Sequence, residues 1–129
     1  HAYTNDLPTT FTKALLQRCD DYQLPAQLRL CHHDWHPGNL ALSDSGWVLL
    51  DWEFAALGDP AMDLAAVCSG FELNDAQSSQ LAVVMDIGND RLLQARAMMS
   101  ALAIVWYAAN PELAPADAPD ADNWLARWG

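Results

Sequence analysis

Between Cys31 and Glu53 the chain concentrates residue types that can do chemistry. Asp34 and Asn39 lie five apart in the polar run His32-His33-Asp34-Trp35-His36-Pro37-Gly38-Asn39, which its closing Pro and Gly mark as a loop. Asp51 follows Leu49-Leu50. Asp44-Ser45-Gly46 is a turn tripeptide that joins Leu40–Ser43 and Trp47–Leu50 as a tight hairpin, its Gly free to take positive φ. A hairpin returns the chain to its start, so Asp51 is expected beside Asn39 and Asp34 although 12 to 17 residues separate them. Two carboxylates and an amide form an oxygen-rich set that suits Mg²⁺, which takes one or two carboxylates plus waters and substrate phosphates. A carboxylate between Leu50 and Trp52 would also carry a desolvation cost if buried, which a nearby cation or donor offsets.

The elements that must hold these groups can be read from pattern. A helix is expected from Leu7 to Tyr22, with Thr9 or Thr10 as cap, Phe11, Leu15 and Cys19 inward, and an end before Pro25. Gln27–Cys31 alternates as a short strand that leads into the loop. Asp59 and Pro60 begin a helix to about Ser69, with Asp59 as cap, while Asp63 on its apolar surface needs buried partners. Asn74 or Asp75 opens another helix that runs to about Ile87 and closes at Gly88. The longest helix starts at Asn89 or Asp90 and stops at Asn110-Pro111, with Leu92, Ala95, Met99, Leu102, Trp106 and Ala109 as its core stripe. A Pro, Ala and Asp rich strap follows, then a short helix from Asn123 to Trp128 with Trp124 and Leu125 inward. Trp52, at a strand end, is expected in the core.

The chain's 129 residues amount to one domain, and a two-domain enzyme does not fit in that length. Six basic against 17 acidic side chains give a net charge of −11, which repels phosphate backbones and anionic lipid and so excludes nucleic acid as a partner. The 52% hydrophobic content argues against disorder. Three widely spaced cysteines, Cys19, Cys31 and Cys68, form no CxxC pair, so neither a disulfide framework nor a cysteine-based zinc site is indicated, and a cytoplasmic location fits. The longest apolar stretch, Met98 to Ala109, is shorter than a membrane span.

Three ordered blocks carry a resemblance to a known family: Cys31-His32-His33-Asp34-Trp35-His36-Pro37-Gly38-Asn39, then Leu49-Leu50-Asp51-Trp52-Glu53, then Gly58-Asp59-Pro60-Ala61-Met62-Asp63-Leu64-Ala65. Together they resemble the C-terminal lobe of the aminoglycoside phosphotransferase and choline kinase family, nearest to its choline, ethanolamine and thiamine kinase-like branch. The resemblance implies an α+β, mainly α, protein-kinase-like C-terminal lobe spanning residues 1–129, with a small β-hairpin carrying the catalytic and metal loops. It implies ATP and Mg²⁺ as cofactors and a small-molecule alcohol as phosphoryl acceptor. Asp34 would accept or orient the acceptor's hydroxyl proton, and Asn39 and Asp51 would hold Mg²⁺. His32 would brace the catalytic loop, and Asp63 would tie down its backbone amides. Glu53 and Trp35 near the metal loop suit a cationic acceptor, through charge and cation–π attraction. His33 departs from the Gly that many aminoglycoside kinases carry between His and Asp, which points away from that branch.

Such kinases also need an N-terminal lobe with a Gly-rich turn over the phosphates and a strand lysine. Here the one lysine, Lys13, falls on an expected helix, and the six glycines are scattered. The chain therefore reads as the C-terminal lobe alone, expected to bind Mg-ATP weakly, to turn over negligibly and to self-associate through the face the absent lobe would cover. Two other readings compete. One is a non-catalytic binding module that retains the motif, for which all three of Asp34, Asn39 and Asp51 have no physical need. The other is a metal-dependent hydrolase using His32, His33, Asp34 and His36, whose spacing lacks the HExxH arrangement.

Overall fold

Pro8 and Asp59 show how local chemistry sets element boundaries in the computed structural model, which describes residues 6–129. Pro8 is extended, and its carbonyl accepts the N–H of Thr12 at 3.1 Å, so helix α1 begins at Thr9 and runs to Asp21. Thr9 and Thr10 lie inside the first turn rather than capping it. Asp59 caps helix α2 (Pro60–Gly70) as expected, its Oδ1 accepting the Ala61 N–H at 2.9 Å with Pro60 in the first turn.

The chain divides into two compact units. Residues 24–96 form the unit that carries the candidate site, and the described residues up to 23 with 97–129 form the other. In the first, strand β1 (Arg29–Cys31) pairs antiparallel with β4 (Ala56–Gly58), and β2 (Leu40–Ser43) pairs antiparallel with β3 (Gly46–Leu49). The β2–β3 hairpin turns on Asp44 and Ser45, and Gly46 takes a φ of 118° that a side chain would resist. Helix α3 (Asp75–Val84) opens with a reciprocal capping box between Asn74 and Gln77.

Helices α2 and α3 end alike. Glu72 and Asp86 adopt φ values of 52° and 56°, and the N–H groups of Leu73 and Ile87 reach back to Cys68 and Ala82 at 3.0 and 2.9 Å. Each is a Schellman closure that uses an acidic residue where Gly is the usual choice. That moves the end of α3 ahead of Gly88.

Helix α4 (Asn89–Ala109) places Leu92 and Ala95 in the first unit's core, as the stripe predicts. Beyond Ala97, in the other unit, the buried positions are Ala97, Ala101, Ile104 and Ala108, whereas Leu102 and Trp106 are about half exposed. The helix is apolar around most of its circumference, so periodicity alone does not single out the face that packs. Packing decides it: Phe11 of α1 and Trp124 of α5 (Ala121–Trp128) meet edge to face at 5.2 Å and cluster with Ala101 and Ile104. Trp124 also donates its indole N–H to the Ala97 carbonyl at 2.9 Å. On α1 the inner face is Phe11, Ala14, Leu15 and Arg18, and Cys19 is exposed. By length and composition α4 is long and apolar enough to cross a membrane, which corrects the expectation drawn from the shorter 98–109 run; core helices of soluble proteins meet the same criterion.

Candidate active site

The loop after β1 is held from behind by a single carboxylate. Asp63, one turn into α2, accepts the backbone N–H of His32 on Oδ2 at 2.7 Å and that of His33 on Oδ1 at 3.0 Å. Oδ2 also accepts the indole N–H of Trp35 at 3.0 Å. A half-buried carboxylate next to apolar residues needs such donors, and three N–H groups supply them.

His32 fastens the two functional loops together. It is buried, and its Nδ1 accepts the backbone N–H of Asp34 at 3.1 Å. The proton therefore sits on Nε2, which donates to the Leu50 carbonyl at 2.7 Å. One imidazole thus spans from the residue after next to the residue just before Asp51. The edge of Trp52 packs on the His32 ring at 4.8 Å, but Trp52 is 48% exposed rather than a core residue, because its indole N–H is satisfied at the surface by the Leu49 carbonyl.

Asn39 is buried at the end of a 3-10 turn, Pro37–Asn39. Its Nδ2 donates twice to Asp34, to the backbone carbonyl at 2.9 Å and to Oδ2 at 3.0 Å. The Asn39 carbonyl accepts the Leu50 N–H at 2.7 Å, one rung beyond the Leu40–Leu49 pair of the hairpin. The hairpin thus brings the backbone on either side of Asp51 and Asn39 together, as the sequence leads one to expect. Asp51 is exposed at a φ of 56°, a conformation Asp tolerates better than most residues. Its Oδ1 is 3.5 Å from the Glu53 N–H, and the Glu53 side chain is exposed.

This donor chemistry fits Mg²⁺. Asn39 spends its nitrogen on Asp34 and keeps Oδ1 as a hard oxygen ligand, and the exposed Asp51 adds a carboxylate. The Asp34 side chain is 32% exposed, oriented by Asn39 and still reachable from solvent. The same geometry leaves His32 no spare ring nitrogen, while His36 uses Nδ1 to accept the Gly38 N–H and has Nε2 3.8 Å from Asp34. Trp35 is committed through its N–H to Asp63, with its ring 5.7 Å from that of His32.

Sequence reasoning passes over two features. His33 stands at a φ of 67° and sends Nδ1 to the Phe54 carbonyl at 3.1 Å, a second tie between the loops. That backbone region is one Gly occupies freely and His seldom does. Asp59, besides capping α2, forms an ion pair with Arg91 of α4. Nothing in the local sequence links residues 32 positions apart. Close by, Cys31 is buried, and its thiol is pushed above the ordinary value by burial first and then by the Asp63 and Asp59 carboxylates.

The model of the phosphotransferase enzyme family matches residues 4–97, which include every residue of this site. The chain belongs to that family. Over 55 residues it is 49% identical to thiamine kinases from Shigella boydii serotype 4 (strain Sb227) and Escherichia coli (strain K12), a match that spans 41% of this chain and 20% of each kinase. Among solved structures, choline kinase LicA from Streptococcus pneumoniae superposes with a TM-score of 0.69 at 20% identity, covering 92% of this chain and 45% of that one. A choline/ethanolamine kinase family protein from Mesorhizobium loti gives 0.65 at 21%, covering 95% and 46%. The chain therefore spans a fifth of the thiamine kinases and just under half of the choline kinases it matches. Its fold is the mainly α, α+β C-terminal lobe of this protein-kinase-like family.

Proposed function

We propose that this chain is the catalytic and metal-binding lobe of an ATP-dependent kinase that phosphorylates the hydroxyl of a small molecule. The observation that carries the reading is the double hydrogen bond from Asn39 Nδ2 to Asp34, which orients a carboxylate and leaves the amide oxygen available as a ligand. Mg²⁺, when bound through Asn39 and Asp51, would supply charge neutralisation of the ATP phosphates. Asp34 would take the acceptor's hydroxyl proton, a contribution typically of about 10²–10⁴-fold. His32 and Asp63 act through others, by holding the Asp34 loop to Leu50 and to α2.

The thiamine and choline kinases among the similar proteins support an acceptor of that class. LicA has also been solved with AMP, which supports nucleotide binding. Exposed Glu53 and half-exposed Trp52 suit a cationic alcohol, whereas the indole N–H of Trp35 already serves the brace. The reading includes an N-terminal lobe from the parent protein and a cytoplasmic setting, consistent with three free thiols, and sets nucleic acid and anionic lipid surfaces aside on charge. The test is ATP-dependent phosphorylation of thiamine, choline, ethanolamine, amino sugars and aminoglycosides by the parent protein. Transfer to one of them is expected, and none to any would refute the reading.

A further inference from the structure

Where β1 runs into the loop that follows it, a ligand atom from each of Cys31, His33 and Asp63 lies within 4.8 Å of the others. We propose that these three residues form a separate binding site for a soft divalent cation such as Zn²⁺. The donor set is one sulfur, one imidazole nitrogen and one carboxylate oxygen, which suits zinc and not magnesium.

Three independent features prepare the site. First, His33 donates its Nδ1–H to the Phe54 carbonyl at 3.1 Å, so its Nε2 carries a lone pair. A backbone carbonyl behind a ligating imidazole is the usual arrangement for fixing its tautomer. Second, a Cβ on Gly58 would stand 2.8 Å from His33 Nε2 and 3.7 Å from Cys31 Sγ, so the absent side chain lets the imidazole and the thiol lie close to the same residue of β4. Third, Asp63 Oδ1 accepts only the His33 N–H while Oδ2 takes the other two donors, which leaves Oδ1 a lone pair for an ion.

Tetrahedral zinc with bonds of about 2.0–2.3 Å needs its ligand atoms about 3.5 Å apart. The closure required is about an ångström, within reach of the exposed His33 ring. Binding replaces the Cys31 S–H bond with an S–metal bond and releases that proton to solvent; His33 and Asp63 give up none. A bound ion would tie β1, the catalytic loop and α2 into one unit. This inference does not depend on the kinase reading.

The test uses the 129-residue chain in excess Mg²⁺, titrated with Co²⁺ as an optical probe and then with Zn²⁺ in competition. One Co²⁺ per chain with a thiolate-to-cobalt charge-transfer band, displaced by Zn²⁺, is expected. Cys31→Ser should abolish the band, and Cys19→Ser should keep it. His33→Gly, which suits the positive φ and avoids disturbing the core, should weaken Co²⁺ binding by at least about 100-fold. Absence of the band in the unaltered chain, or its persistence in Cys31→Ser or undiminished affinity in folded His33→Gly, would overturn the site.

Discussion

Asn39 holds Asp34 by two hydrogen bonds from a single nitrogen, at 2.9 Å to the carbonyl and 3.0 Å to the carboxylate. The pairing both aims the carboxylate and turns the amide oxygen away from it. Only an amide can do both, since a carboxylate has no N–H to give. Asn39→Asp should therefore lose both bonds and set like charges against each other in a buried spot. The expected cost is about 1–3 kcal/mol of stability, read from urea unfolding. Unchanged stability would show that the pairing does not hold the loop.

Asp63 should be as sensitive for a different reason. Its two oxygens accept three N–H groups, and Asp63→Asn leaves one oxygen and adds a donor that faces donors. Hydrogen bonds to a charged acceptor are worth about 1.5–3 kcal/mol each, so a loss at least of that size is expected. Amide hydrogen exchange should show the backbone N–H groups of His32 and His33 losing protection ahead of the helices.

Much of this bracing was legible beforehand. The carboxylate on the apolar face of α2 demanded donors, and the turn chemistry of Asp44, Ser45 and Gly46 fixed the hairpin that returns Asp51 to Asn39. Contacts that depend on tertiary distance were not legible. No local pattern announces that the His32 ring reaches the Leu50 carbonyl, or that Arg91 pairs with Asp59. On α4 the expected stripe holds at Leu92 and Ala95 but not at Leu102 and Trp106, because a helix apolar nearly all round offers several equivalent stripes and Phe11 and Trp124 choose among them. The end of α3 was hidden because Asp86 occupies the position where Gly would have been the signal, whereas α2 ends within a residue of the expected Ser69.

The cysteines should react in an order set by burial. Cys19 is exposed and should be modified at neutral pH, while Cys31 and Cys68 resist until the chain unfolds. Cys31 adds a pH signature, because burial, Asp63 and Asp59 hold its thiol above the ordinary value of 9.0 in the folded chain. Below that pH both states keep the proton and its contribution to stability is intact. Above it the unfolded thiol ionises first, so stability falls as pH climbs toward the folded value. Cys31→Ala should flatten that alkaline decline, and an identical slope would remove Cys31 as its source.

Two cross-strand pairs leave large apolar surface open: Leu30 opposite Leu57, at 67% and 70% exposure, and Leu42 opposite Trp47, both at 68%. The isolated chain should self-associate through such surface. Sedimentation velocity should show mass rising with concentration, and Leu42→Ser with Trp47→Ser should shift the balance to monomer. A monomer at every concentration would contradict this.

The central claim is that Asp34 serves phosphoryl transfer to an alcohol. The most direct test is single-turnover transfer from γ-labelled ATP to the accepted alcohol by the parent protein, comparing the native sequence with Asp34→Ala. A fall of about 10²–10⁴-fold in the transfer rate, with folding and nucleotide affinity retained, is the expected result. Transfer at an undiminished rate by Asp34→Ala would contradict the account.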